Sequence, residues 1–274
     1  MAAFLIPALC AVFVWWFSTG LIVVLDHLPT STFRWSMFAA TLVAGYAFHV
    51  ILASGDDVSA QGAYAGFMAA IAIWGWMEMS FLMGLITGPS RNPCAPDCRG
   101  WRRFKHGVAV VAYHEIAIAV GGAAICLSSL GATNRTALWT YTLLWGMRVS
   151  AKLNLFAGVR NVSERFLPPH LAYLGGFFRQ RPMNGLMPLS ITLGTIVSML
   201  CVQRAGNAET PFDVISASLL ATMAILGTVE HWFLIIPLPF EALWNWYLRA
   251  RFDPPSAVPV PKLPTGVAPD PTSP

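Results

Sequence analysis

The sequence predicts an all-α protein, a polytopic membrane bundle of about seven transmembrane helices with its N-terminus periplasmic and its C-terminus cytoplasmic. Three observations carry that expectation. First, 56% of the 274 residues are hydrophobic and only 11% are charged, against about 25% charged in a typical soluble domain. Second, the apolar residues come in blocks of roughly 20, the length that crosses ~30 Å of hydrocarbon, and not as the alternation of strands. Third, the basic residues between the blocks are strongly one-sided, as the positive-inside rule requires. Little sequence is left for a separate catalytic domain. The first block has no Lys or Arg before it, so it reads as a retained helix and not as a cleaved signal peptide.

The spans are expected at about 4–25, 34–53, 62–87, 107–128, 136–158, 185–204 and 212–236. Pro182 and Pro188 bracket the start of the sixth, and Pro237 and Pro239 mark the end of the seventh, where the missing N–H and fixed φ punctuate a helix. The loops after spans one, three and five, with the C-terminal segment, hold thirteen Lys and Arg, whereas the opposite side holds Arg135, Arg204 and the acidic Asp56–Asp57 pair. Residues 1–252 are expected to form one membrane domain. Residues 253–274, rich in Pro, Ala and Val, read as a disordered cytoplasmic tail.

Two basic, aromatic loops, 88–107 and 159–184, and a segment "EALWNWYLRARF" at 241–252 lie on the cytoplasmic side. Arg102, Arg103, Lys105, Arg179 and Arg181 are the candidates for docking membrane lipid or a partner, each cation being worth ~1 kcal/mol near an anionic surface. The cations are dispersed over membrane-flanking loops, which argues against nucleic acid as a partner.

Ionisable residues inside the spans are the second signal. A charge at mid-membrane costs ~2.5–3.5 kcal/mol even on the lenient insertion scale, so such residues face the bundle interior and find partners. Glu78, His114, Glu115, Arg148, Lys152, Glu230 and His231 fall on four spans in the cytoplasmic half, counted at about 1.5 Å per residue; His49 belongs near the other face. Arg148 and Lys152 share one helix face at i, i+4, continued by Trp145 and Tyr141. Gly75, Ala117, Gly121, Gly146 and Gly227 lie near the same level, where small residues let backbones approach.

Three arrangements are open. In the first, Arg148 and Lys152 neutralise two or three of Glu78, Glu115 and Glu230 in an interhelical network. In the second, Glu78, His114, Glu115, Glu230 and His231 bind iron or manganese, although the Glu-x-x-His spacing of a di-metal bundle is absent. In the third, the polar residues line a cavity for the head of a pigment, quinone or lipid, with His114 or His231 as axial ligand to a magnesium or iron tetrapyrrole. Cys94 and Cys98 in the basic loop are expected to be free thiols, since zinc would want four ligands. Phosphate-loop, dinucleotide, nucleophile-elbow and HExxH motifs are missing, and no inverted repeat of broken helices points to a transporter.

The stretch "LLWGMRVSAKLNLFAGVRNVSERFLPPHLAYLGGFFRQRPMN" (143–184), with "WGWMEMSFLMGLITGP" (74–89), "YHE" (113–115) and "EHWFL" (230–234), resembles the PuhE family of photosynthetic complex assembly proteins. The similarity extends over about residues 4–250 and is one of overall pattern. It implies a multi-pass inner-membrane protein, cytoplasmic or intracytoplasmic, encoded with photosynthesis genes. The partners it implies are reaction-centre or core-antenna subunits and pigment-biosynthesis enzymes, in complex assembly or bacteriochlorophyll supply. No site residue is carried over from it. The alternative is a membrane-embedded metal-dependent oxidoreductase acting on a tetrapyrrole or carotenoid intermediate.

Overall fold

A computed structural model of the chain describes residues 2–93, 98–162 and 167–236. Its long elements are helices α1 (Ala2–Asp26), α2 (Phe33–Ala53), α3 (Ala60–Leu82), α4 (Gly100–Ala109), α5 (Ala112–Ser128), α6 (Thr136–Ala157), α7 (Met187–Gly206) and α8 (Pro211–Phe233). A 3-10 helix covers Pro169–Phe177. Among the described residues the only strand-like feature is one parallel bridge between Val159 and Gln180. The segment 241–252, the tail 253–274 and Cys94 lie outside the described residues. Cys98 is disulfide-bonded, so the expectation of a free thiol there does not hold.

The helix starts follow their cap residues. Ser59 accepts from Gly62 N–H at 3.2 Å at the head of α3. Thr210 accepts from Asp213 N–H at 3.1 Å and donates to the Asp213 carboxylate, ahead of Pro211 in the first turn of α8. A side-chain acceptor here satisfies one of four orphan N–H groups, and Pro in the first turn loses no bond. At the other end of α3, Gly84 closes the helix in the left-handed region (φ +74), and Leu85 N–H returns to Ser80 O. Glycine takes that conformation without a Cβ penalty.

Helices α3 and α8 form the middle. Half of the apolar window of each is buried, against 17% for α1, α2 and α7. Helix α3 packs on α1, α2, α5, α6 and α8, while α7 and α8 form a close hairpin. There a Cβ on Gly194 would stand 2.6 Å from Thr228 Oγ1, so only glycine permits that separation. The outer helices leave Leu5, Ile6, Phe13, Trp35, Phe38, Met199 and similar side chains exposed, as a lipid-facing surface requires.

Among the described residues five helices are long and apolar enough to cross a membrane, and α4 with α5 makes a sixth if the bent pair is one span. Helix α6 has the length, 22 residues, but is too polar to join them. The fourth expected span differs from the sequence reading. It is not one helix from 107 but two, bent by 61°. The cause is the strand of backbone at 87–90 that crosses the break. Ser90 N–H reaches Ala109 O at 3.4 Å and His114 N–H reaches Thr87 O at 2.9 Å, replacing bonds that a continuous helix would have made. Gly88 allows the crossing, because a Cβ there would lie 2.1 Å from Ala109 O.

Candidate functional site

The seven interior residues lie on four helices, α3, α5, α6 and α8, and the structure joins most of them to partners one at a time. Arg148 Nη2 donates to Glu78 Oε2 at 2.7 Å, linking α6 to α3. One turn further on, Lys152 Nζ donates to Glu115 Oε1 at 2.5 Å, linking α6 to α5. The i, i+4 spacing aims both cations at the α3–α5 side. Glu115 lies in the first turn of α5, where an acid also meets the positive end of the helix dipole. Lys152 additionally stands 5.7 Å over the Phe81 ring.

The remaining acid turns elsewhere. Glu230 accepts from Trp15 Nε1 at 2.8 Å and so ties α8 to α1; the expected neutralisation by Arg148 or Lys152 covers Glu78 and Glu115 only. His231 is 2% exposed. Its Nδ1 meets Gly227 O at 2.7 Å and its Nε2 meets Ser150 Oγ at 2.8 Å. With the carbonyl as acceptor, Nδ1 carries the proton and Nε2 accepts from Ser150. Sequence reasoning missed Ser150 because it looked at the charged face. Ser150 and Asn154 lie on the other face of α6, where Asn154 reaches Ser190 Oγ at 2.8 Å. Helix α6 is thus polar on two sides, which explains its low apolarity.

His114 is the exception. Its side chain is fully buried and packs on Phe81 at 4.5 Å between ring centroids, and neither ring nitrogen has a hydrogen-bond partner among the described residues. Glu78 Oε1 and Arg148 Nε are likewise buried without a partner there. A buried imidazole with both nitrogens unspent is costly, by about 1–3 kcal/mol per unmade bond, and is the interior group best placed to take a ligand. Even so, among the described residues no three His, Cys, Asp or Glu side chains gather as a metal site would need. The set Glu78, His114, Glu115, Glu230 and His231 is divided among the pairs above. The small residues behave unevenly. Gly121 is crowded by Met77 and the Tyr141 hydroxyl, and Gly227 by Met147, whereas a Cβ on Gly146 would meet nothing. Tyr141, on the Arg148 face, donates to Ile118 O at 2.9 Å.

Of the docking candidates, Arg102, Lys105 and Arg181 are exposed and Arg179 is half-buried. Arg103 needs correcting. It is 5% exposed, stacks 4.1 Å over Phe156, and donates to Phe156 O at 3.1 Å and to Phe177 O. A guanidinium offers five donors in a planar fork and suits this bridging of two carbonyls. Arg103 is therefore a clamp between α4, the end of α6 and the 3-10 helix, and no docking residue. Nearby, Trp101 stacks on Phe104 at 5.1 Å with Lys105 over the Trp101 ring, leaving Trp101 67% exposed.

Residues 1–255 match the family model described as "Protein of unknown function (DUF3623)", so the chain belongs to that family. It is 38% identical over 269 residues to a protein of Rhodobacter capsulatus described as "Uncharacterized 30.4 kDa protein in puhA 5'region", with 94% of this chain and 97% of that one covered. No solved structure matches.

Proposed function

We propose that this member of the DUF3623 family is an integral inner-membrane factor for assembly of the photosynthetic reaction centre and core antenna, or for the supply of bacteriochlorophyll to them. The photosynthetic part rests on the resemblance to the PuhE family, with which a relative in the puhA 5′ region accords. The non-enzymatic part rests on one observation: the interior charges Glu78, Glu115, Arg148, Lys152 and Glu230 all close on partners within the chain. Groups spent on each other hold helices in register and are not free to act on a substrate.

The topology proposed for this role has seven crossings, with α4–α5 counted as one bent span and α6 crossing with its charges paired inside the bundle. The N-terminus is periplasmic and the C-terminus cytoplasmic. Two sets of contacts support it. The loop at 54–59 is bonded to Asn134 at one end, and the loops at 27–33, 82–91 and 167–177 meet around His170 at the other. The basic loops lie at the second end, where Arg102, Lys105, Arg179 and Arg181 present cations to reaction-centre or antenna subunits, to pigment-biosynthesis enzymes or to anionic lipid.

The unspent imidazole of His114 favours a second reading, in which that ring is axial ligand to a tetrapyrrole. One preparation tests both. The full chain is purified in mild detergent from a phototrophically grown host, and its partners, metals and visible spectrum are measured together. Co-purifying reaction-centre or antenna subunits, lost on replacing Arg102, Lys105 and Arg181 with Gln, support the first reading. A tetrapyrrole band lost in His114→Leu supports the second. Normal complex levels in a strain lacking the gene overturn the assembly role.

A further inference from the structure

A second feature lies outside the interior network. At the basic end, a half-open cavity of about 250 Å³ sits where the α1–α2 turn, the segment after α3 and the 3-10 helix converge. Its polar wall is Arg91, His170, Tyr173, Thr30 and Thr87, and its apolar wall includes Phe33, Met83 and Leu171. The volume is below the ~300–1,000 Å³ of sites for drug-sized ligands. It suits a headgroup better than a macrocycle.

The polar wall is held in place by bonds to the chain, and part of its hydrogen-bonding capacity is left over. The Tyr173 hydroxyl is buried with no hydrogen-bond partner among the described residues. His170 is fixed by donation from Nε2 to Leu82 O at 2.7 Å and by edge contact with Phe33 at 5.9 Å. Gly84 makes room for that ring, since a Cβ there would lie 2.9 Å from His170 Cδ2. Arg91 uses Nη2 on Gly84 O at 3.0 Å and keeps further donors of its fork. The acid that bears on His170, Asp26, is already paired with His27 at 2.6 Å. A half-buried tyrosine and an exposed guanidinium beside apolar side chains, at the level where helices leave the bilayer, match one chemistry: phosphate oxygens over an acyl-glycerol stem.

We propose that this cavity binds the phosphate of an anionic lipid headgroup, held by Arg91 and the Tyr173 hydroxyl and positioned by His170. The site does not depend on the assembly role, and it uses none of the interior pairs.

The test is native mass spectrometry of the full chain in neutral detergent, titrated with phosphatidylglycerol or phosphatidylcholine. One phosphatidylglycerol is expected to bind in preference to phosphatidylcholine. Arg91→Gln weakens it about tenfold and Tyr173→Phe by severalfold, as losing charge-assisted bonds would. Arg204→Gln, at the other end, changes nothing. Tyr173→Phe is also the control for folding. In lipid-free protein the hydroxyl has no partner among the described residues to lose, so the thermal midpoint is unchanged or raised. Equal binding of the two lipids, or unchanged binding in both cavity variants, overturns the proposal. Displacement of the lipid by equimolar inorganic phosphate overturns the lipid and assigns the pocket to the free ion.

Discussion

The two ends of the bundle are fastened differently. At the end bearing Asp56, Asp57 and Arg135, connections are short and one side chain does most of the work. Asn134 donates to the carbonyls of Ser54, Asp57 and Gly62 and accepts from Thr136 N–H at the head of α6. At the basic end, long segments fold back over helix termini, and several buried or half-buried side chains hold them there. Arg103 bridges Phe156 and Phe177. Asn161 donates to Phe233 O and Ile236 O below α8. Asn184 donates to Gly158 O and accepts from Leu186 and Met187 N–H, joining the end of α6 to the start of α7. A short turn satisfies its own backbone with one cap, whereas a long loop buries carbonyls that need donors brought from elsewhere. The crowded end is also where His114, Glu115, Lys152 and the headgroup cavity lie, so it is the end with both anchors and unspent polar groups.

The sharpest way to break this comparison is Arg103→Ala. It orphans two carbonyls and removes the stack on Phe156, a loss of about 3–4 kcal/mol. The expected result is a lowered thermal midpoint in detergent with early proteolysis between 159 and 184. Next comes Arg148→Leu, which leaves the Glu78 carboxylate, 12% exposed, without its cation. Buried pairs broken on one side lose 3–5 kcal/mol, but Arg148 is one-third exposed, which reduces the figure to about 2 kcal/mol. The double variant with Glu78→Gln should recover most of that in a double-mutant cycle. Additive losses would mean the pair contributes nothing. Asn134 is itself only 7% exposed, but the Asp56–Asp57 turn it binds is open to solvent, so water can replace part of its bonding and Asn134→Ala should cost about 1.5 kcal/mol. A midpoint falling as far as in Arg103→Ala would erase the distinction between the ends.

The smallest effect belongs to Asp57. Its carboxylate accepts from Ser59 N–H at 2.9 Å, and bonds from Ser59 hold it below the ordinary value of 3.8. A depressed folded value contributes stability above 3.8 that is lost as pH falls through the lower folded value. Thermal midpoints between pH 6 and pH 3 should therefore fall slightly more in the wild type than in Asp57→Asn; parallel curves would refute it.

Much of the interior was legible because cost forces partnership. An Arg and a Lys at i, i+4 in an apolar segment had to meet acids, and Glu78 and Glu115 are those acids. The uncharged partners were harder to see. Trp15 and Ser150 look like ordinary membrane residues until Glu230 and His231 arrive beside them. Arg103 shows the opposite error: in sequence it is one of a basic run, and only its place opposite two helix-end carbonyls makes it a clamp. Asn134 and Asn184 did carry a signal, since Asn just ahead of a helix often accepts from the backbone N–H two residues on, as both do here.

The sequence by itself determined an all-α chain with membrane-length apolar helices, their approximate limits, and the identity of the residues whose burial had to be compensated. These follow from local quantities, namely block length, composition and cap chemistry. Only the tertiary structure decided which acid took which cation, that the fourth span bends where 87–90 crosses it, and that Arg103 turns inward while Arg102 does not. Those outcomes depend on helix order and rotation, which a periodic apolar pattern leaves open, because a lipid-facing and a protein-facing leucine look alike.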